Sequence, residues 1–282
     1  MILSGDKVKL KYFLKDMILP PLMSDFLRLL RNVPLVLHYA GDLRNNKKFK
    51  DVKSGKVYIL GNGPSLKDVN FSALSGRDVV TMNSFHRGEV NANLNVVAHC
   101  FGEPTSSPAW MFDDFKDCLI NNHAESHWVH FSSISSAKEL QIPVQIVVPG
   151  IEAALWRSAK VDLSSLSLGY ASTAQLAIQV AMYLGYDDIV LLGFDHDWLA
   201  SRDHSKHFYS DEKDLTDTLF QGSYLSILEM VERLWRLYIS IAASAAKRGI
   251  KITNCTHNSH LDVFPFELID DLYLHDNDRK SV

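Results

Sequence analysis

The stretch Lys56-Val57-Tyr58-Ile59-Leu60-Gly61-Asn62-Gly63-Pro64-Ser65-Leu66 decides the fold. Val57–Leu60 is a short apolar run, and Gly-Asn-Gly-Pro follows it without a break. A run of this kind suits a strand buried on both faces. The glycine pair lets the chain turn sharply at the strand's carboxyl end. Similar runs recur at Val79–Met82, Asn95–His99, Trp128–Phe131, Val144–Val148, Ile189–Leu192 and Ile252–Asn254.

Helical patterns separate these runs. Ser172 and Gln175 have capping-box spacing, and Leu176, Ala177, Val180, Ala181 and Leu184 share one face. Gly185 stands where a left-handed C-terminal residue is wanted. A second long helix is expected from about Ser223 to Arg248. Leu228, Val231, Leu234, Trp235, Tyr238 and Ile241 would point inward, and Lys247 and Arg248 would favour its negative end. Strands alternating with helices predict an α/β, Rossmann-like fold. The expected architecture is a mainly parallel sheet with helices on both faces, in a single domain over 51–282. An N-terminal helical extension, 1–50, would precede it.

The extension has its own character. Phe26, Leu27, Leu29, Leu30 and Val33 follow Pro20-Pro21 on a predicted short helix, and Arg44, Lys47, Lys48 and Lys50 close the segment. This combination fits either a helical arm packed on the domain or a face turned to an anionic membrane or a lipid-linked acceptor.

Composition narrows the class. The 282 residues are 46% hydrophobic and 22% charged, ordinary values for a globular protein. A net charge of -4 removes a global basic field for nucleic acid. Cys100, Cys118 and Cys255 form an odd set without C-x-x-C spacing, which suits a reducing compartment. No signal peptide and no membrane span of ~20 apolar residues is recognised. The expected location is cytoplasmic, and peripheral to the inner membrane if the extension turns its face to lipid instead of packing on the domain.

Four segments fall at predicted strand or helix ends, where ligands of parallel sheets bind. Gly61-Asn62-Gly63-Pro64-Ser65 can bring backbone N–H groups and two polar side chains to an anion, or can be a tight structural turn. It lacks the third glycine of a dinucleotide fingerprint and the lysine of a Walker A loop. Asn83, after the second strand, can read a nucleoside edge or cap the next helix. Ser172 and Thr173 open a helix whose N-terminus attracts anions, and Ser172 is also a natural N-cap. Gly193-Phe194-Asp195-His196-Asp197 is followed by His204 and His207. Histidine is the natural general base near neutral pH, and carboxylates orient it or hold a metal.

In their order these segments resemble bacterial sialyltransferases of glycosyltransferase family 42. Val57–Leu66 looks like that family's opening, Met82–Phe85 like its second nucleotide-contacting segment, Ser172–Asp195 like its later helix and strand, and Ile252–Ser259 like its last strand. Similar features occur in motility-accessory-factor proteins and in the 6-hydroxymethylpterin diphosphokinase-like domain. The resemblance covers about residues 56–262. It implies a single Rossmann-like domain that transfers a nonulosonic acid from a CMP-activated donor to a glycan acceptor, without a metal or other cofactor. Asn62, Gly63 and Ser65 would hold donor phosphate and ribose, and Asn83 and Ser172 would contact the cytidine. Gly61, Thr173, Gly193 and Asp195 complete the donor-binding candidates. His207 would be the base, in preference to His204. The family places tyrosines near the leaving phosphate, whereas this chain reads His196-Asp197-Trp198 after Asp195. An extra carboxylate there would repel phosphate unless a metal bridges them. A magnesium-dependent pterin diphosphokinase using Asp195 and Asp197 is therefore the first alternative. A non-catalytic nucleotide- or glycan-binding module is the second.

Overall fold

Seven apolar runs pair side by side in the computed structural model, whose described residues are 21–88, 90, 92–102, 110–150, 160–166, 168–197, 224–269 and 272. The strands are β1 (Lys56–Leu60), β2 (Asp78–Met82), β3 (Asn95–Phe101), β4 (His127–His130), β5 (Gln145–Val147), β6 (Asp188–Leu192) and β7 (Lys251–Asn254). All six pairings are parallel, in the order β5-β4-β3-β2-β1-β6-β7. Described helices are α1 (Pro21–His38), α2 (Ala40–Asn45), α3 (Trp110–Asn121), α4 (Ile134–Glu139), α5 (Thr173–Leu184) and α6 (Tyr224–Lys247).

The strands are apolar along their length because both faces are covered. Val57, Ile59, Val80, Met82, Ile189 and Leu191 meet α5 and α6 on one side. Tyr58, Leu60, Val79, Val190 and Leu192 face the other side, which continues into the layer of α3 and α4 through Phe101, Phe115 and Val129. The doubly covered parallel sheet is the expected Rossmann-like α/β fold.

α5 lies deepest: Thr173 and every residue from Gln175 to Leu184 are buried. A helix apolar nearly all round belongs in a core. Ser172 caps it by accepting from the Gln175 N–H at 3.3 Å, and Gly185 ends it at φ 111°. The Gln175 side chain reaches one residue beyond a standard capping box, accepting from the Ala171 N–H at 2.8 Å. Its amide then donates to Leu234 O at 2.8 Å, joining α5 to α6.

One expectation for α6 is corrected. Leu228 is 40% exposed and its neighbour Leu225 54%, while Leu234, Leu237, Tyr238 and Ile241 are buried. Helical period places Leu228 on the inward side, but the first turns are at most half-buried, at Ile227, Met230 and Val231, and full burial begins at Leu234.

The N-terminal segment is fastened along the β5 edge. Leu43 is buried with Phe115 and Ile146. Asn46 is fully buried, and its amide donates to Ile146 O at 2.9 Å and to Leu163 O at 2.7 Å. Asn32 is bonded to Pro149 O at 2.8 Å. Removing the Asn46 amide leaves two buried carbonyls without that donor, which costs about 2–4 kcal/mol. Asn46→Ala should therefore lower the unfolding free energy by that amount in urea titration. A loss under about 0.5 kcal/mol would show that this segment is not fastened to the sheet.

Candidate functional site

The strand order reverses at β1. β2 to β5 extend to one side, and β6 and β7 to the other. Connections leave the β1 and β6 carboxyl ends in opposite directions there, opening the crevice in which such sheets bind ligands. A cleft of about 130 Å³ occupies this point. Gly61, Asn62, Gly63 and Pro64 line it from β1, Met82 from β2, Ala174 from α5, and Gly193 to Asp197 from β6. A larger cleft of about 310 Å³ lies between β2, β3 and the end of α3, lined by Thr81, Val96, His86 and Asn122.

The glycines are required by close approach. Gly61 N–H donates to Leu192 O at 2.7 Å and Gly63 N–H to Gly193 O at 3.0 Å, so the β1–β6 ladder continues past both strands. A Cβ on Gly61 would collide with Gly193 O, and one on Gly63 with the Asp195 carboxylate. Gly63 itself has φ −66°, open to any residue, whereas Gly193 has φ 73°.

Asp195 clamps this loop. Its carboxylate accepts from Ser65 N–H at 3.1 Å and from the Ser65 hydroxyl at 2.8 Å. Gly63 and Ser65, which the resemblance sets on the donor phosphate, thus aim these hydrogens at Gly193 and Asp195. The turn after β7 supports Asp195 from behind. Ser259 donates to Phe194 O at 2.6 Å, His260 N–H to Asp195 O at 2.9 Å, and Phe194 N–H to Thr256 Oγ1 at 2.9 Å. Asn254 holds Ser259 at 2.9 Å.

Two amides line the strand ends. Asn62 donates to Met82 O at 3.0 Å, and Asn83 sits at φ 46° after β2. The Asn62 and Asn83 side-chain oxygens are buried and accept no hydrogen bond among the described residues. Buried amide oxygens are ordinarily paired, so both are ready acceptors. Opposite them is the α5 N-terminus. The Thr173 hydroxyl accepts from Gly102 N–H at 3.1 Å and so ties α5 to the end of β3. His196 Nε2 lies 3.0 Å from the Tyr238 hydroxyl, which also meets the Ser172 side chain. Burial pushes His196 down to about 4, so its imidazole is neutral at pH 7.

Sequence reading placed Tyr238 in the core and missed its hydroxyl, which links β6 to the α5 cap; nothing local marks it. His204 and His207 lie outside the described residues. Asp197 lines the cleft. No group of three or more His, Cys, Asp or Glu among the described residues is arranged to hold a metal. Of the carboxylates considered as ligands under the magnesium alternative, Asp195 is engaged by Ser65.

No protein-family model and no curated protein matches the sequence. Among solved structures, the chain is similar to the monofunctional alpha-2,3-sialyltransferase Cst-I from Campylobacter jejuni, at 16% identity over 79% of this chain and 85% of that one, with a TM-score of 0.45. It is also similar to the sialyltransferase CstII from Campylobacter jejuni in complex with cytidine-5'-monophosphate, at 17% identity over 78% and 87%, with a TM-score of 0.42. CST-II in complex with a trisaccharide acceptor and CMP gives 17% identity over 78% and 88%, with a TM-score of 0.44. At these values the likeness carries no function, which has to be read from the site itself.

Burial holds the Asp195 carboxyl above its ordinary value against the pull of Ser65, and Asp197 adds to the rise. A carboxyl that protonates more readily in the folded state costs stability as pH rises from its unfolded value through its raised folded value. The cost is fully present above that window. Asp195→Asn removes it and keeps an acceptor for Ser65 N–H. The stability of Asp195→Asn relative to wild type should therefore grow as pH rises above about 4 in urea unfolding. A pH-independent difference would mean that the carboxyl is not raised.

Proposed function

We propose that this chain is a glycosyltransferase that moves a sugar, a nonulosonic acid from a CMP-activated donor, to a hydroxyl of a glycan or glycoconjugate acceptor without a metal. The observation that carries the reading is the buried amide oxygen of Asn62, without a partner among the described residues, in a switch-point cleft faced by a helix N-terminus, with a second such oxygen on Asn83 at the end of β2. A nucleoside supplies the missing donors, through ribose hydroxyls and an exocyclic amine. The sequence resemblance of Val57–Leu66 and Met82–Phe85 supports cytidine.

The donor phosphate is best held by α5. A helix start offers N–H groups and a positive end, and Ala174 lines the cleft. Thr173 and Ala174 N–H would meet the phosphate while Ser172 keeps its capping bond. As the bond between the sugar's anomeric carbon and the phosphate oxygen breaks, negative charge grows on the CMP that leaves. Fixed donors at that place stabilise the transition state. With Ser65 engaging it, Asp195 braces the loop instead of opposing the phosphate. The acceptor hydroxyl forms the new bond to the anomeric carbon and gives its proton to a base. His207 is assigned that role from sequence, ahead of His204. His196 is a poor base, since burial disfavours its protonated form.

CMP should raise the melting temperature of the protein equally with and without chelator. Asn62→Ala and Asn83→Ala should each weaken CMP binding about 5–10-fold, the worth of one neutral buried hydrogen bond. Stabilisation by ATP only with Mg²⁺, and none by CMP, would replace this reading with the diphosphokinase one. CMP binding without any turnover across donors and acceptors would favour a binding module.

His207→Ala should lower kcat by ~10²–10⁴-fold and leave the donor Kd unchanged, because the base does not hold the nucleotide. A larger loss in His204→Ala would reassign the base.

A further inference from the structure

α1 presents two different faces. Asn32, Leu35 and Val36 turn toward the β5 edge: Asn32 is bonded to the carbonyls of Pro149 and Gly150, and Leu35 and Val36 pack against the core with Leu43. Leu27, Leu30, Val33 and Leu37 are 49%, 52%, 40% and 71% exposed. With Pro34, also exposed, they fall within an arc of about 120° on the outward side, a stripe about 15 Å long. An apolar stripe of this regularity is unlike the scattered apolar residues of an ordinary surface.

Cations accompany the stripe: Arg31 lies within it on α1, Arg44 follows on α2, and Lys47 and Lys48 lie on the single turn after α2. All four are exposed. Asp42 is the one carboxylate on α2, whereas Asp162 meets Lys50 and Lys160, and Asp51 meets Arg248.

We propose that the outward face of α1, with Arg31, Arg44, Lys47 and Lys48, docks on an anionic phospholipid bilayer. Leucines on one side with cations beside them match an interfacial helix, whose apolar face sinks to the headgroup boundary while the cations meet lipid phosphates. No described helix is long and apolar enough to cross a membrane, so the contact lies in the surface plane. A second copy of the chain is the weaker occupant, because the stripe from Leu27 to His38 has no carboxylate to meet the cations of another copy. The placement also fits the cleft. Followed back from Asn46, bonded to Ile146 O, to Asn32, bonded to Gly150 O, the segment runs out along β5 past its carboxyl end. Leu27 and Leu30 therefore lie toward the edge of the sheet on which the cleft opens.

The test is co-sedimentation of the full chain with vesicles of phosphatidylcholine alone, or mixed with phosphatidylserine. Binding is expected to the mixed vesicles, falling steeply with added salt. Leu30→Asp/Leu37→Asp should weaken it at least ~10-fold. Arg44→Glu/Lys48→Glu should do so to a similar degree, at about fivefold or more per cation. Both variants should keep the wild-type circular dichroism spectrum and urea midpoint, because the residues are exposed. Equal binding to both vesicle types, or binding retained in the variants, would overturn the proposal. So would a lowered urea midpoint in Leu30→Asp/Leu37→Asp without vesicle binding, which would show that another segment of the chain already covers the stripe. Dimers dissociated by Leu30→Asp/Leu37→Asp, again without vesicle binding, would assign the face to a second copy and overturn it as well.

Discussion

The contact between the loops that leave β1 and β6 governs the site. Five residue pairs run in parallel register from Lys56–Asp188 to Leu60–Leu192. The ladder then continues through Gly61 and Gly63 to Leu192 and Gly193. Backbones this close leave no room for a Cβ at Gly61 or Gly63. That constraint explains why both positions are glycine, and it brings Asp195 within reach of Ser65. Closing the loop in this way fixes one wall of the cleft before any ligand enters, so little ordering is left to the moment of binding.

The other walls are fixed by buried polar bonds, which hold geometry more strictly than apolar packing does. The turn after β7 holds the backbone of Phe194 and Asp195 through Ser259, His260 and Thr256. On the opposite side, Thr173 ties α5 to Gly102, Gln175 ties it to α6, and Tyr238 joins His196 to Ser172. Each bond is modest by itself, but an unpaired buried partner is costly, so the set resists rearrangement. Within this frame the side-chain oxygens of Asn62 and Asn83 are buried and unpaired among the described residues, and the proposed reading gives them to a nucleoside.

Electrostatics separates the two ends of the cleft. Asp195 and Asp197 put negative charge on the β6 side, where burial already pushes the Asp195 carboxyl up. The start of α5 brings the positive end of a helix to the other side. The N-terminal segment adds a separate surface along the β5 edge, built from exposed leucines and cations that the core does not use.

The seven strands and the two long helices were legible in sequence because their signals are local. Apolar runs bounded by glycine, the Ser172 cap and the Gly185 stop depend on neighbours within a turn or two. A cleft at the carboxyl ends of β1 and β6 followed too, since the order of a parallel sheet opens a crevice there. The partners did not follow. Ser65 and Asp195 are 130 residues apart, and Asn46 and Leu163 are 117 apart. Nothing in either neighbourhood says that β6 returns beside β1 or that the N-terminal segment closes the β5 edge. A loop that reads as a phosphate cradle thus turns its donors to Gly193 and Asp195. A tyrosine that reads as core carries a hydroxyl into the site, and Leu228 is exposed despite its helical phase. Sequence determined which residues form each element, because those forces act within a few residues; only the order of strands in the sheet decided which side chains meet.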